Sequence, residues 1–159
     1  MKKTALIFLL ISSLTGYAQE EIPDVYSVAS QFERIEIVRM RSGTDMLEGL
    51  KTCIAEKHIK NTVILSGIGS VTDYYYNVVN SRNLPPTNEY REVSEAMDLI
   101  ALQGYIFNGR IHAHITLSDI NSVVGGHLEP ETRALTFFIV TLGILPDDLE
   151  IENFDNYTW

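Results

Sequence analysis

Cysteine is nearly absent from the sequence, because Cys53 is the only one among 159 residues. A single cysteine excludes an intramolecular disulfide, and it also excludes any paired-cysteine motif for zinc or for redox chemistry. Cys53 lies close to the apolar face of a predicted helix, where a buried and unreactive thiol is expected. Any metal site in this chain must therefore use other ligands.

Basic residues are also scarce. The chain has 12 lysines and arginines against 21 aspartates and glutamates, which gives a formal net charge of -9. Proteins bind nucleic acid by neutralising phosphates with lysine and arginine, so this balance argues against a nucleic-acid partner. The apolar content of 45% and the charged content of 21% are typical of one soluble globular domain.

Long hydrophobic runs are missing: no segment after residue 18 reaches the roughly 20 apolar residues of a membrane helix. The shorter apolar run near the start of the chain has the pattern of a signal peptide. Two lysines follow Met1, a short apolar run covers residues 6–14, and small residues at Gly16 and Ala18 suit a signal peptidase. We expect a signal peptide at residues 1–18, with cleavage after Ala18. The mature protein is then predicted to be periplasmic or secreted and not held in a membrane.

Four parts of the chain are expected on this basis. Residues 19–32 are polar and predict a flexible leader after the signal peptide, and residues 33–143 are expected to form the folded domain. Residues 144–159 form an acidic C-terminal tail that ends in aromatic residues. This tail is expected either to be a solvated end or to pack Phe154 and Trp159 across a neighbouring subunit.

The first half of the domain shows one helix among strands. Residues 33–40 alternate in polarity as a half-buried strand does, and Thr44 then precedes a helical pattern that it can cap. Two strands are expected at residues 63–65 and 74–79. The glycine-containing segment 66–70 between them is interpreted as a tight turn. A dinucleotide-binding loop would require glycine where the chain has Thr72, and the Gly-Lys pair of a phosphate loop is missing.

A β-hairpin is the strongest local prediction. Asn108-Gly109 separates two strand-like runs, and this dipeptide favours a type I′ turn of two residues. Such a turn sets the register, so that Tyr105 lies opposite His112 and Gln103 lies opposite His114. Residues 102, 104, 106, 111, 113 and 115 then form an apolar or small face on the other side.

Three histidines predict a metal site. His112 and His114 alternate along one strand and therefore share a face. His127 follows Gly125-Gly126, where the lack of side chains permits close backbone approach toward that face. Three neutral nitrogen ligands without cysteine suit zinc or another late first-row divalent metal, with a fourth position open to water or a small molecule.

The alternative is that these histidines occupy a half-exposed sheet face without binding metal. If they do bind metal, Tyr105 and Gln103 are candidates to orient the ligating rings. Ordinary cross-strand packing explains those two residues equally well. His58 is expected at a solvated helix end and not as a ligand.

The motifs together resemble the PPC domain, named for plants and prokaryotes. The resemblance rests on four segments: LSGIGSV at residues 65–71, DLIALQG at 98–104, GRIHAH at 109–114 and VGGHL at 124–128. It implies an α+β fold, a single domain with a largely antiparallel β-sheet and few helices. It also implies a homotrimer, with zinc on His112, His114 and His127. The plant relatives bind DNA through a separate AT-hook, and this sequence has no such hook.

Two functional hypotheses follow. The first is an exported homotrimeric metal-binding module whose ligand completes the coordination shell. The second is a metal-dependent lyase or hydrolase acting on a small carbonyl or carboxylate substrate, as the more distant resemblance to acetolactate decarboxylase suggests. The second hypothesis needs an acid or base near the metal. The local candidates are Glu95, Asp98, Asp119 and Glu129.

Overall fold

The computed structural model describes residues 24–156 as one helix and seven strands. The predicted signal peptide lies outside these residues. The elements follow the chain as β1 (Arg34–Arg41), α1 (Met46–Glu56), β2 (Asn61–Val79), β3 (Asn88–Val93), β4 (Met97–Phe107), β5 (Arg110–Ser118), β6 (Val123–Leu128) and β7 (Arg133–Leu145). Every pairing among them is antiparallel. The expectation of an antiparallel α+β domain with few helices is confirmed.

Strand β2 organises the sheet. The strand order is β1-β7-β2-β4-β5-β6, with β3 also paired to β2. An additional pairing of β2 with β6 joins Tyr76 to Leu128 and Asn77 to His127. Strands β2, β4, β5 and β6 are therefore paired in a closed circuit, which places the end of β6, with His127, beside His114 of β5.

The expectation of two short strands around a turn at residues 66–70 is wrong. The structure has one continuous strand, β2, with register shifts against β7 between Ile64 and Ser66 and again after Gly69. Gly69 has a φ of 152°, and a Cβ there would lie 2.0 Å from the carbonyl oxygen of Phe137. The glycines therefore allow β7 to approach closely and allow bulges in β2. In a single sequence, glycines that have these roles look the same as glycines in a turn.

The helix cap also differs from the expectation. Asp45, and not Thr44, is the N-cap residue, and its carboxylate accepts a hydrogen bond from the backbone N–H of Glu48 at 3.0 Å. The same carboxylate accepts from the backbone N–H of Glu131 at 2.6 Å, which ties the helix start to the loop before β7. A carboxylate has two acceptor oxygens, so Oδ1 of Asp45 caps the helix while Oδ2 accepts from the loop.

The core lies between α1 and one face of the sheet. Met46 and Leu50 of the helix are fully buried and pack with alternate residues of β7, including Phe138 and Leu142. Because side chains alternate across a strand, the intervening residues of β1 and β7 face away from this core. Residues 24–156 contain no helix that is long and apolar enough to cross a membrane.

The predicted hairpin is confirmed with its register. Asn108 and Gly109 have φ values of 48° and 77°, as a type I′ turn requires. Tyr105 pairs with His112, Gln103 with His114, and Leu102 with Ile115. A register shift between Leu99 and Ala101 ends this regular pairing farther from the turn.

The C-terminal segment does not project into solvent over its described part. Ile151 is 4% exposed and packs in a small cluster with Phe107 and Leu145, against which Val28 also lies. The ring of Phe154 lies 6.2 Å from that of Phe107. Residues 146–156 therefore cover their own chain, because apolar side chains recur among the acidic ones. Trp159, the other aromatic residue expected to pack, lies outside the described residues.

Candidate metal centre

Strands β5 and β6 bring three imidazoles together on one face. The ring centres of His112 and His114 are 5.5 Å apart, those of His112 and His127 are 5.0 Å apart, and those of His114 and His127 are 5.5 Å apart. His114 and His127 are direct partners in the β5–β6 register. The structure thus places the three sequence-predicted residues next to each other, while His58 lies at the end of α1.

The two glycines before His127 make this arrangement sterically possible. A Cβ on Gly125 would lie 2.3 Å from the carbonyl oxygen of Ile115, and one on Gly126 would lie 2.3 Å from that of Asn77. No residue with a side chain fits at these distances without a backbone shift. Gly125-Gly126 therefore lets β6 lie close to both β5 and β2, which carries His127 to the other two rings.

One hydrogen bond and one longer contact with a carboxylate indicate which nitrogen is free on two of the rings. Nδ1 of His127 lies 3.1 Å from the backbone oxygen of Ala113, so Nδ1 carries the proton and donates. Nδ1 of His112 lies 3.5 Å from the Asp155 carboxylate, which favours a proton on that nitrogen as well. Both contacts leave Nε2 as the lone-pair nitrogen, the pattern usual for histidines that ligate metals.

The surroundings also favour the neutral form of two of the rings, those of His114 and His127. Partial burial lowers the pKa of His114, and the neighbouring His112 lowers it further. Burial likewise lowers the pKa of His127, with added effects from His114 and His112 that outweigh the opposite effect of Glu129. Only a neutral imidazole can donate a lone pair to a metal, so these shifts keep the ligand form available near neutral pH.

Tyr105 and Gln103 lie across the hairpin from the histidines, as the register predicted. Within residues 24–156, however, neither donates a hydrogen bond to an imidazole. Tyr105 stacks on Phe107 at a centroid distance of 5.1 Å. The groups that contact the ring nitrogens are instead the Ala113 carbonyl and the Asp155 carboxylate.

Asp155 is the site residue that the sequence did not predict. Its carboxylate is 12% exposed and pairs with the Arg110 guanidinium, which also donates to the backbone oxygen of Glu152 at 2.7 Å. These contacts fasten the C-terminal segment beside His112. Nothing in an acidic tail distinguishes one aspartate from its neighbours before the chain is folded.

The four carboxylates considered as acids or bases are engaged elsewhere or lie away from the rings. Asp119 accepts hydrogen bonds from the backbone N–H groups of Asn121 and Ser122 and so forms the β5–β6 turn. Glu129 accepts from the side-chain amide of Asn77. Asp98 pairs in register with Ser118, at the opposite end of β5 from the Asn108-Gly109 turn, and Glu95 lies just before β4.

The donor set fits a late first-row metal by its chemistry and spacing. With Zn–N bonds of about 2.0–2.1 Å and tetrahedral angles, the centres of ligating imidazoles lie roughly 5 Å apart, as these rings do. Residues 24–156 contain no group of three or more His, Cys, Asp or Glu side chains whose donors already converge on one point. Coordination would thus require the rings to turn about their side-chain bonds, which the solvent access of His112 and His114 permits.

The sequence matches the model of a known protein family. A family model described as the Plants and Prokaryotes Conserved (PCC) domain matches residues 27–146. No curated protein sequence matches the chain.

Solved structures share the fold. A metal-containing protein from Archaeoglobus fulgidus is 20% identical, with a TM-score of 0.67 over 76% of this chain and 86% of that one. A plant- and prokaryote-conserved (PPC) protein from Pyrococcus horikoshii is 20% identical, with a TM-score of 0.65 over 77% and 85%. A protein from Bacteroides thetaiotaomicron whose suggested role is DNA binding is 20% identical, with a TM-score of 0.61 over 72% and 83%.

Proposed function

The chain belongs to the Plants and Prokaryotes Conserved (PCC) domain family, and we propose that it binds a divalent metal, zinc or another late first-row ion, through His112, His114 and His127. The observation that carries this proposal is the cluster of three imidazole rings at mutual distances of 5.0–5.5 Å. A metal-containing relative with the same fold supports it. When bound, such an ion supplies a Lewis acid with a position open to a small-molecule ligand.

The chain's own residues have separate tasks in this proposal. His112, His114 and His127 supply neutral nitrogens, and the Ala113 carbonyl holds the His127 ring through Nδ1. Asp155 holds the His112 ring from the C-terminal segment. Metal analysis of the purified protein by mass spectrometry, before and after loading with zinc, tests the proposal. About one ion per chain is expected, and a protein that retains and takes up none would contradict it.

We rank metal-dependent lyase or hydrolase activity second. Such chemistry requires a group that moves protons beside the reacting atoms. The candidate carboxylates Asp119 and Glu129 serve a turn and an amide instead, and Asp155 is neutralised by Arg110. A binding role needs none of these groups and therefore agrees better with the described geometry.

Asp155→Asn is expected to weaken zinc affinity by about 10–100-fold, the usual loss when a group that orients a ligand is removed. The physical reason is that an amide holds the Nδ1 proton of His112 less strongly than a carboxylate. Competition with a zinc chelator measures the effect. Asp148→Asn, at an exposed position of the same segment, is the matched control and should leave affinity unchanged.

Arg110→Gln tests whether Asp155 acts by orienting the His112 ring or by fastening the C-terminal segment. This substitution removes the ion pair with Asp155 but leaves the carboxylate that faces His112. We expect a smaller loss of affinity than for Asp155→Asn. Equal losses would mean that Asp155 acts only by fastening the segment.

We also propose that the protein is a homotrimer, as its family resemblance implies, and that the apolar outer face of its sheet forms the subunit contact. Ile37 is 73% exposed on β1, Ile68 is 53% exposed on β2, and both lie opposite the core side of the sheet. Exposed apolar patches of this kind commonly mark subunit contacts. Ile37→Asp should reduce the mass in solution from three chains to one by light scattering. Ile120→Asp, at a turn residue that is 99% exposed, should leave it unchanged, and a monomeric parent protein would contradict the proposal.

Two further expectations belong to this proposal. We propose that the protein acts outside the cytoplasm, because residues 1–18 have the pattern of a signal peptide. An intact Met1 in protein isolated from its native cells would contradict export. We propose no nucleic-acid partner, since the net charge of -9 opposes phosphate binding.

A further inference from the structure

A cavity of about 790 Å³ opens beside His112 and His114. It lies between the hairpin of β4 and β5 on one side and the segments before β1 and after β7 on the other. Most of its lining is apolar and is supplied by Val28, Val63, Phe107, Leu145, Ile151 and Phe154. Its volume falls within the range of about 300–1,000 Å³ that is usual for small-molecule sites.

Among the polar residues that line this cavity, Gln103 and Asp155 lie beside the histidines, and Ser30 lies in the segment before β1. Gln103 lies directly across the strand pair from His114, and its amide can donate a hydrogen bond. Asp155 also lies there, but the Arg110 guanidinium neutralises its charge. The cavity thus has one end that can hold an anion, given a bound dication, and an apolar remainder.

We propose that this cavity binds a small carboxylate with an aromatic or branched apolar body. The carboxylate lies at the histidine end, where the metal and the Gln103 amide face it, and the body lies against Phe107 and Ile151. The carboxylate is needed because a dication binds an anionic oxygen. The apolar body is needed because its transfer from water to the apolar walls is favourable. The inference rests on the proposed metal site and adds to it the class of ligand.

Three probes test the two ends of the cavity separately. Isothermal titration of the zinc-loaded protein compares 4-phenylbutyrate with acetate, which has only the head, and with 4-phenylbutan-1-ol, which lacks the charge. We expect 4-phenylbutyrate to bind at least about tenfold more tightly than acetate, since burying even two methylene equivalents contributes about that factor. It should also bind more tightly than 4-phenylbutan-1-ol, which has the same apolar body but no charge for the metal to attract. Equal affinity of acetate and 4-phenylbutyrate would overturn the inference.

Filling the cavity from two walls gives a second readout. Val28→Trp and Val63→Phe add bulk from the leader segment and from β2, and each should weaken 4-phenylbutyrate binding about tenfold or more while zinc content is retained. Val38→Phe on β1 packs against the main core and is the matched control. Thermal unfolding of all three variants verifies that they are folded. If neither filling variant that remains folded weakens binding, the cavity is not the site.

The outcomes separate the two proposals. Zinc binding without selective 4-phenylbutyrate binding would overturn the inference and leave the metal site standing. Binding of 4-phenylbutyrate that is equally strong without any metal uptake would overturn the proposed function and, with it, the metal-held carboxylate. Binding of none of the probes to a zinc-loaded trimer would indicate that a second copy of the chain covers the cavity, which also overturns the inference.

Discussion

Replacement of His114 by alanine is expected to abolish stoichiometric metal binding. The substitution removes one of three nitrogen donors, and the two that remain leave a dication poorly coordinated. We expect zinc affinity to fall by more than about 100-fold, beyond the loss that follows from changing a group that only orients a ligand. Metal content by mass spectrometry, together with chelator competition, measures the change.

His58→Ala is the control for this prediction. His58 follows α1 at an exposed position, and among the described residues it has no ring contact with the three clustered histidines, so its loss should leave the metal content unchanged. His114 lies on an exposed face of β5, and its removal creates no core cavity. A properly folded His114→Ala variant that retains as much zinc as His58→Ala would dismiss His114 as a ligand.

Gly104→Ala is expected to cause the largest loss of stability among the single substitutions considered. Gly104 has a φ of 152°, and a Cβ there would lie 2.1 Å from the carbonyl oxygen of His112 and 2.8 Å from the Cα of Ala113. Both obstacles are backbone atoms of the paired strand, so relief requires β4 and β5 to separate. We expect a loss of about 3 kcal/mol or more in the free energy of unfolding, since backbone strain and overpacking add.

The Gly104→Ala substitution also moves the backbone that carries His112, so zinc affinity should fall with stability. Gly109→Ala in the hairpin turn is the matched control, because no atom lies within 4 Å of its added Cβ. Its positive φ of 77° costs only about 1–2 kcal/mol. Chemical denaturation measures both variants, and a Gly104→Ala protein as stable as Gly109→Ala would refute the role assigned to this glycine.

The hairpin shows why part of this site could be predicted. A type I′ turn depends on two adjacent residues, and a two-residue turn then sets the register of both strands. The pairing of Gln103 with His114 followed from that geometry and is confirmed. The close approach at Gly125-Gly126 was likewise predictable, because only glycine permits it.

The segment at residues 66–70 shows where local reasoning fails. Glycines favour both turns and close strand contacts, and the choice here is made by β7, which packs against Gly69 through Phe137. That contact joins residues far apart in the chain. A pattern of residues within one window carries no information about such a partner.

The sequence by itself determined the hairpin and the shared face of His112 and His114. It also determined that two glycines let the strand of His127 approach that face closely. These features depend on turn chemistry and on the period-two alternation of strands, which are local properties. Only the tertiary structure decided that Asp155 lies beside His112 and that the C-terminal segment lines a cavity next to the histidines. An acidic side chain and its apolar neighbours acquire these roles only when the folded sheet gives them a surface to pack against.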